Sequence, residues 1–510
     1  MQKAQEEFPN VKLAAFSDNV TLFGKSSEVL EVFKLLETEF EKVDCKINQE
    51  KSIVYGVDHI DGFPKCSNVG ITILGCPLGS SDYIQSELSK KFGDFKEAID
   101  LVGKFGPQFA MPLLTACVNT KVGYLARVCQ PWELRTHASL FDSWISVAVG
   151  KIARLSRRLP EEAELVRRLP GKMGGLGLSS ASQIHNAAWI ASFLSAIRLF
   201  KDKTLALGDE KLYLYKQVLS LFVNDFSFET ELPRTIPIQK VLVATIHERN
   251  LETLEGLLKV DTWKAWFKGQ KVGRPSWLSV VYFGENFDSV GFSEKDYIRN
   301  LQLRLLISPI PEGLRENLSC LCPEGPKVCD PRQAFHVFSC RYMAGMHRMR
   351  HDGIVRCLSS AVSNMRGEHV QEIEVRRFWN EEQSVKTPDL AVSIGGVKHW
   401  VDVTVRGNGC PSYASLSTKQ LLLKGETDKK THYKDITFDG FYYTFAVDMF
   451  GNLGSEADKF LQLLAKNSAK NSEGEICLIA DFKRSLSVWM AKSISTTLSS
   501  YLVDIPRSDN

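Results

Sequence analysis

The stretch TPDLAVSIGGVKHWVDVTVRG, Thr387 to Gly407, joins two runs of apolar and β-branched residues at Gly395-Gly396. Such runs favour strands, and a glycine pair supplies the positive φ angles of a tight turn, so the stretch reads as a β-hairpin. It also carries Pro388-Asp389, a spacer of 12 residues and Asp402. Side chains alternate along a strand, and this spacing sets the two carboxylates at facing points of neighbouring strands, where both can bind one Mg²⁺. An ion held there lowers the pKa of a bound water and steadies the charge on a phosphate. The plain alternative is a pair of strand-end acids with no chemistry.

The flanks extend the pattern. Upstream, HDGIVRCLSSAV reads as a helix and EIEV as the start of a strand; downstream, TDKKTHYKDI reads as a helix end and FDGFYYTFAVDMFGNLG as a strand closed by a turn. This order of helix, three strands, helix, strand resembles a restriction-type nuclease core. Glu374, at the end of the first strand, is a candidate further acid. The lysine that usually stands two residues after the second acid is replaced by Thr404. A cation is wanted at such a site because it stabilises the negative transition state.

Ahead of this core lies LSCLCPEGPKVCDPRQAFHVFSC. Cys320-x-Cys322, then 13 residues, then His336-x3-Cys340 supplies two pairs of soft ligands. Pro323, Gly325 and Pro326 provide turns to bring them together around a tetrahedral zinc. Cys329 is an alternative to one of the first pair, and buried thiols beside a core histidine are the plain alternative. A set of three cysteines and a histidine leaves no open position, so the zinc is expected to be structural.

Taken in order, the CLC…H-x3-C run, Arg350-His351-Asp352, PD-x12-DVTV, K-x3-Y and the final strand resemble the C-terminal half of one protein group. These are the open-reading-frame proteins of non-LTR retrotransposons that carry a restriction-like endonuclease. In that group the lysine sits on the helix before the last strand, four residues ahead of a tyrosine, which implies Lys429 with Tyr433 here. Lys430 and Lys419 stay open as alternatives, and His432 stands where the group has a second basic residue. The resemblance also places Arg350 and His351 among the nucleic-acid contacts.

The N-terminal end shows VKLAAFSDNVTLFG, Val11 to Gly24, in which Asp18-Asn19 separates two β-prone runs. On its own this is a hairpin with an ordinary Asx turn. Val29, Val32, Phe33, Leu36 and Phe40 then recur at helical spacing, followed by CKINQEKSIVYG, read as a strand, and VGITILGCPLG. From about residue 8 to 80 this order resembles the last third of a reverse transcriptase palm. Asp18 matches the first aspartate of the polymerase hairpin, Asn19 stands in place of the second, and Lys51 belongs to the KIN-x-x-KS run. An amide keeps a carbonyl ligand but loses the charge that attracts Mg²⁺. The strand carrying a further aspartate and the fingers are not present, so the chain is expected not to polymerise by itself, as a truncated or decayed copy or a fragment would not.

Between these ends, residues 82–300 read as mostly helical. In GKIARLSRRLPEEAELVRRLPGKMGGLGL, Arg154, Arg157 and Arg158 are expected to share a helical face, with Arg167, Arg168 and Lys172 following. A stripe of this kind neutralises phosphates. The alternative is a solvated face balanced by Glu161, Glu162 and Glu164. Trp263, Trp266 and Trp277 in the next helices suggest no chemistry.

A chain of 510 residues exceeds what one hydrophobic core supports, so several modules are expected. The expected multidomain α+β arrangement is a partial palm (1–82), a thumb-like helical region (83–180), a helical linker (181–305), a zinc knuckle (306–345) and an α/β restriction-endonuclease-like core (346–510). A net charge of +3 neither requires nor excludes nucleic acid. The twelve cysteines are scattered, the polar start MQKAQEEFPN is no signal peptide and no run has the length of a membrane span, so an intracellular protein is expected. The resemblance implies a nuclear protein acting in target-primed reverse transcription, with target DNA and element RNA as partners. The function expected is metal-dependent DNA cleavage, with Asp389 and Asp402 on Mg²⁺ and Lys429 as charge stabiliser. The alternative is a nucleic-acid-binding remnant that cuts nothing.

Overall fold

The computed structural model describes residues 2–17, 19–61, 63, 65–156, 158–200, 238–271, 275–278, 292–310, 336–364, 370–373, 387–468 and 472–503. It is a mixed α+β fold, largely helical with small sheets. Its contacts divide it into two compact units, Met1–Lys90 and Lys91–Asn510. Among the described residues, no helix is long and apolar enough to cross a membrane.

In the first unit α1 (Gln2–Glu7) leads into a hairpin of β1 (Lys12–Phe16) and β2 (Asn19–Phe23), closed by the pair Phe16↔Asn19. Ser17 takes φ 54°, the left-handed backbone that two-residue hairpin turns use. α2 (Ser26–Glu41) buries Val32 and Leu36 with Ala4 and Val11, and Val29 and Phe40 pack around them. Phe33 points elsewhere and meets Phe63 edge-on at 4.7 Å.

The strand expected over CKINQEKS does not form. The N–H groups of Lys51 and Ser52 both donate to Asn48 O at 3.1 Å, and Lys51 N–H lies 3.1 Å from Asn48 Oδ1. Asparagine side chains offer the backbone this turn in place of a strand ladder, and here the turn prevails. Short pairs follow: β3 (Val54–Tyr55) runs parallel to β4 (Cys66–Ser67), and β5 (Gly70–Ile73) pairs with β6 (Cys76–Gly79). These are separate two-stranded sheets, with no shared core sheet among them.

The second unit opens with helices. α3 (Ser81–Val102) crosses the unit boundary; then come α4 (Pro107–Leu113), α5 (Val122–Val128), α6 (Pro131–Ile152), α7 (Glu161–Arg168), α8 (Ala181–Phe200), α9 (Ile238–Leu257), α10 (Asp261–Gln270) and α11 (Glu294–Arg304). Leu134, Phe141, Ile145 and Val149 lie on one face of α6 and are fully buried. Asp142, on the same helix, accepts the N–H groups of Ala181 and Ser182 at 2.8 and 3.0 Å, capping α8 from a distance.

The functional scaffold follows: α12 (Ala344–Asn364), β7 (Val370–Ile373), β8 (Leu390–Ile394), β9 (Val397–Arg406), α13 (Thr418–His432), β10 (Phe441–Asp448), α14 (Ser455–Ser468) and α15 (Ser472–Val503). The sheet order is β10-β9-β8-β7. β7, β8 and β9 are antiparallel, while β10 lies parallel to β9 after the α13 crossover. Gly395 and Gly396, at φ 58° and 83°, make the β8–β9 turn that their sequence called for. Ser417 and Gln420 form a capping box at the start of α13, and the backbone of Tyr433 closes its end. The middle of β9 is buried along both faces, as expected of a strand covered on each side.

Candidate active site

Asp389 sits just ahead of β8. Its peptide N–H donates to Val401 O at 3.1 Å, one step beyond the Leu390↔Val401 pair, so Asp389 and Asp402 face each other at the end of the ladder. The Oδ2 of Asp389 accepts the Val403 N–H at 2.8 Å and lies 3.1 Å from Nε2 of His351, which comes from α12. The other ring nitrogen of His351, Nδ1, is 3.1 Å from Oδ1 of Asp352.

Asp402 is only 2% exposed. The Tyr433 hydroxyl lies 3.0 Å from its Oδ1 and 3.1 Å from the carbonyl oxygen of Thr387. Lys429 Nζ stands 2.6 Å from its Oδ2, a close ion pair. Lys429 and Tyr433 lie one helical turn apart at the end of α13, which packs on β9 and β10 and so aims both at the same carboxylate.

The electrostatics follow from this packing. Burial pushes the Asp402 carboxyl up, and the like charge of Asp389 adds to the effect, while Lys429 and Tyr433 pull it back. His351 is raised to about 9, first by its hydrogen bond to Asp389, and is therefore an imidazolium at neutral pH. Burial and the adjacent Asp402 push the Tyr433 phenol up, so its hydroxyl keeps its proton.

Mg²⁺ prefers hard oxygens and is usually held by one or two carboxylates, with water and substrate phosphate completing the shell. The facing carboxylates of Asp389 and Asp402 fit that requirement, with Oδ2 of Asp402 held by Lys429. Among the described residues, no three or more His, Cys, Asp or Glu side chains gather into a closed metal cage.

Of the three lysines left open by the sequence, Lys429 reaches Asp402; Lys430 pairs with Glu456, and Lys419 is exposed on the first turn of α13. Thr404 is 8% exposed, two residues beyond Asp402 on β9. Glu374, Asp18, Arg157, Cys320, Cys322, Cys329 and the side chain of His336 lie outside the described residues; Cys340 is buried. Asn19 opens β2 and is exposed, as is Lys51 in the Asn48 turn.

Several expected nucleic-acid contacts are placed differently. Arg350 is 3% exposed and holds Ser493, Thr497 and the sulfur of Met449 from inside the core, where no phosphate reaches it. It shares the apolar stripe of Ile354 and Leu358 on α12, a signal in the sequence that it would be internal. His351 engages Asp389 and Asp352 instead of a phosphate. Arg167 is fully buried against Glu164 and Leu178 O. The expected helix does not extend to Arg154: α6 stops at Ile152, and Arg154 turns with φ 56° to pair with Glu294 at 2.8 Å. Arg168 is half-buried beside Glu164. Arg158 and Lys172 are exposed.

Asp352, named by sequence only as part of the Arg350-His351-Asp352 run, is the second partner of His351, and Tyr442 and Thr444, whose buried hydroxyls lie on β10 next to this site, were not singled out by sequence. Compared with protein-family models and with curated proteins, the chain finds no match.

Proposed function

We propose that the sheet around β8 and β9 is the cutting site of a metal-dependent DNA endonuclease, within a protein of the non-LTR retrotransposon type. The observation that carries this reading is the convergence of Asp389, Asp402 and Lys429 at one end of the β8–β9 ladder. Asp389 and Asp402 would hold Mg²⁺, which when bound supplies a water of lowered pKa and charge stabilisation at the phosphate. Lys429, 29% exposed at its side chain, can reach a phosphate from Asp402 and stabilise the negative charge that develops there. Tyr433 fixes Oδ1 of Asp402, and burial keeps bulk water from the rest of that carboxylate.

Nicking of supercoiled plasmid with Mg²⁺ by the wild-type chain, lost in Asp402→Ala, is the expected result. A second reading, a binding remnant that cuts nothing, draws on the same geometry, since His351 and Lys429 already balance both carboxylates. Wild type that binds DNA but never nicks it establishes that second reading.

Residues 8–80 are, in this proposal, a palm remnant that does not synthesise DNA, because Asn19 stands where a charged ligand is needed. Primer extension with Mg²⁺ or Mn²⁺ is expected to yield no product, and robust synthesis refutes this part. Element RNA as a partner, a structural zinc and a nuclear address belong to the same proposal and are supported by the resemblance of the motifs.

A further inference from the structure

We infer that His351, backed by Asp352, is the residue that orients Asp389 as a metal ligand. This rests on the reading of Asp389 and Asp402 as the Mg²⁺ pair. Oδ2 of Asp389 is fixed from two sides, by the Val403 N–H at 2.8 Å and by His351 Nε2 at 3.1 Å, and Oδ1 takes neither bond. A carboxylate gripped by one oxygen cannot swing, so its other oxygen is held ready for a cation. Outer-shell donors to metal ligands act in this way.

The grip is itself anchored. Arg350, the residue before His351, is bound to Ser493 and Thr497 of α15, and the Trp489 indole donates to its carbonyl at 3.1 Å. At Gly353 the helix runs so close to the Trp489 ring that any side chain would collide with it. α12 is thus pressed onto α15 on one side and presents His351 to Asp389 on the other. With Nδ1 against Asp352 and Nε2 against Asp389, neither ring nitrogen is left for a phosphate. His351 is therefore a positioning residue, and the ladder bond from Asp389 N–H to Val401 O holds the backbone without it.

The test is Mn²⁺ binding to the metal-free full chain, measured by calorimetry without DNA, alongside the Mg²⁺ dependence of nicking. Wild type is expected to bind Mn²⁺ in a manner that Asp402→Ala abolishes. His351→Ala should weaken that binding roughly 10- to 100-fold, as loss of such outer-shell partners does, and should shift the Mg²⁺ requirement of nicking upward by a similar factor. His351→Gln, whose amide N–H can replace Nε2–H, should recover most of the affinity, and this rescue separates positioning from general damage to α12. Wild-type affinity in His351→Ala, or a Gln variant as weak as the Ala variant, overturns the inference and leaves the proposed function intact. Wild type that binds no Mn²⁺ dependent on Asp402 overturns both.

Discussion

The hairpin of Lys12 to Phe23 and the hairpin of Leu390 to Arg406 begin from the same kind of sequence signal, β-favouring runs pinched at a short turn with an acid nearby. Their surroundings differ. Phe16 and Phe23 in the first are 69% and 52% exposed, whereas Leu390, Val401 and Val403 in the second are 3%, 0% and 1% exposed. A two-stranded ribbon is marginal in water alone; the first hairpin rests Leu13 and Leu22 on the small cluster around Val32 and Leu36 of α2, whereas the second gains β7 and β10 as neighbouring strands besides its flanking helices. Local patterning specifies pairing, but the chemistry of an acid depends on what covers it. Asp402, buried beside a second acid, becomes dependent on partners.

This contrast is most sharply tested by truncating one aromatic in each sheet. Phe445→Ala in β10 removes a fully buried ring and should cost about 3–5 kcal/mol in chemical denaturation. Phe16→Ala in β1 should stay within about 0.5 kcal/mol. A Phe16 variant that loses more than about 2 kcal/mol would mean that the first hairpin is covered in solution, and the contrast fails.

Next in size is a pH effect at the end of the second hairpin, where His351 of α12 meets Asp389. His351 is raised from 6.5 to about 9, so the folded chain binds a proton there that the unfolded chain has released between those values. Its contribution is complete below pH 6.5 and is lost as pH rises through about 9. In metal-free buffer the wild type should lose roughly 1–3 kcal/mol across that window relative to His351→Gln, which carries no proton to lose. Parallel stability curves for the two proteins would show that the ion pair with Asp389 is not made.

Much of the second hairpin was legible because its determinants are local. Gly395-Gly396 demanded positive φ, and the spacing from Asp389 to Asp402 matched a two-residue turn. The Lys429-x3-Tyr433 spacing puts both side chains on one helical face. What failed depended on competition or on distance. The Asn48 turn replaced a strand that the palm-like order suggests, and the end of α6 at Ile152 broke a stripe that assumed the helix ran on. Arg167 reads as a surface charge because the Leu178 carbonyl that covers it lies 11 positions on, and Arg350 because Ser493 lies 143 positions away, although its spacing with Ile354 and Leu358 points inward. His351 was found as a residue but given the wrong neighbour, since its bond to Asp389 spans 38 positions.

The smallest expected effect concerns the arginines and lysine of residues 154–172, where burial again decides the role. Arg158 and Lys172 are exposed, whereas Arg167 is committed to Glu164 and Leu178 O. A cation that meets a phosphate releases about one counterion, lowering the slope of log affinity against log salt by roughly 0.9. Arg158→Ala and Lys172→Ala should each remove about that much of the slope and weaken binding to all DNA sequences alike, since phosphate contacts carry no base information. Fluorescence anisotropy over a salt series measures both. An unchanged slope in both variants would assign this surface to solvent, and any DNA contact would then have to be sought nearer Lys429, at the end of α13.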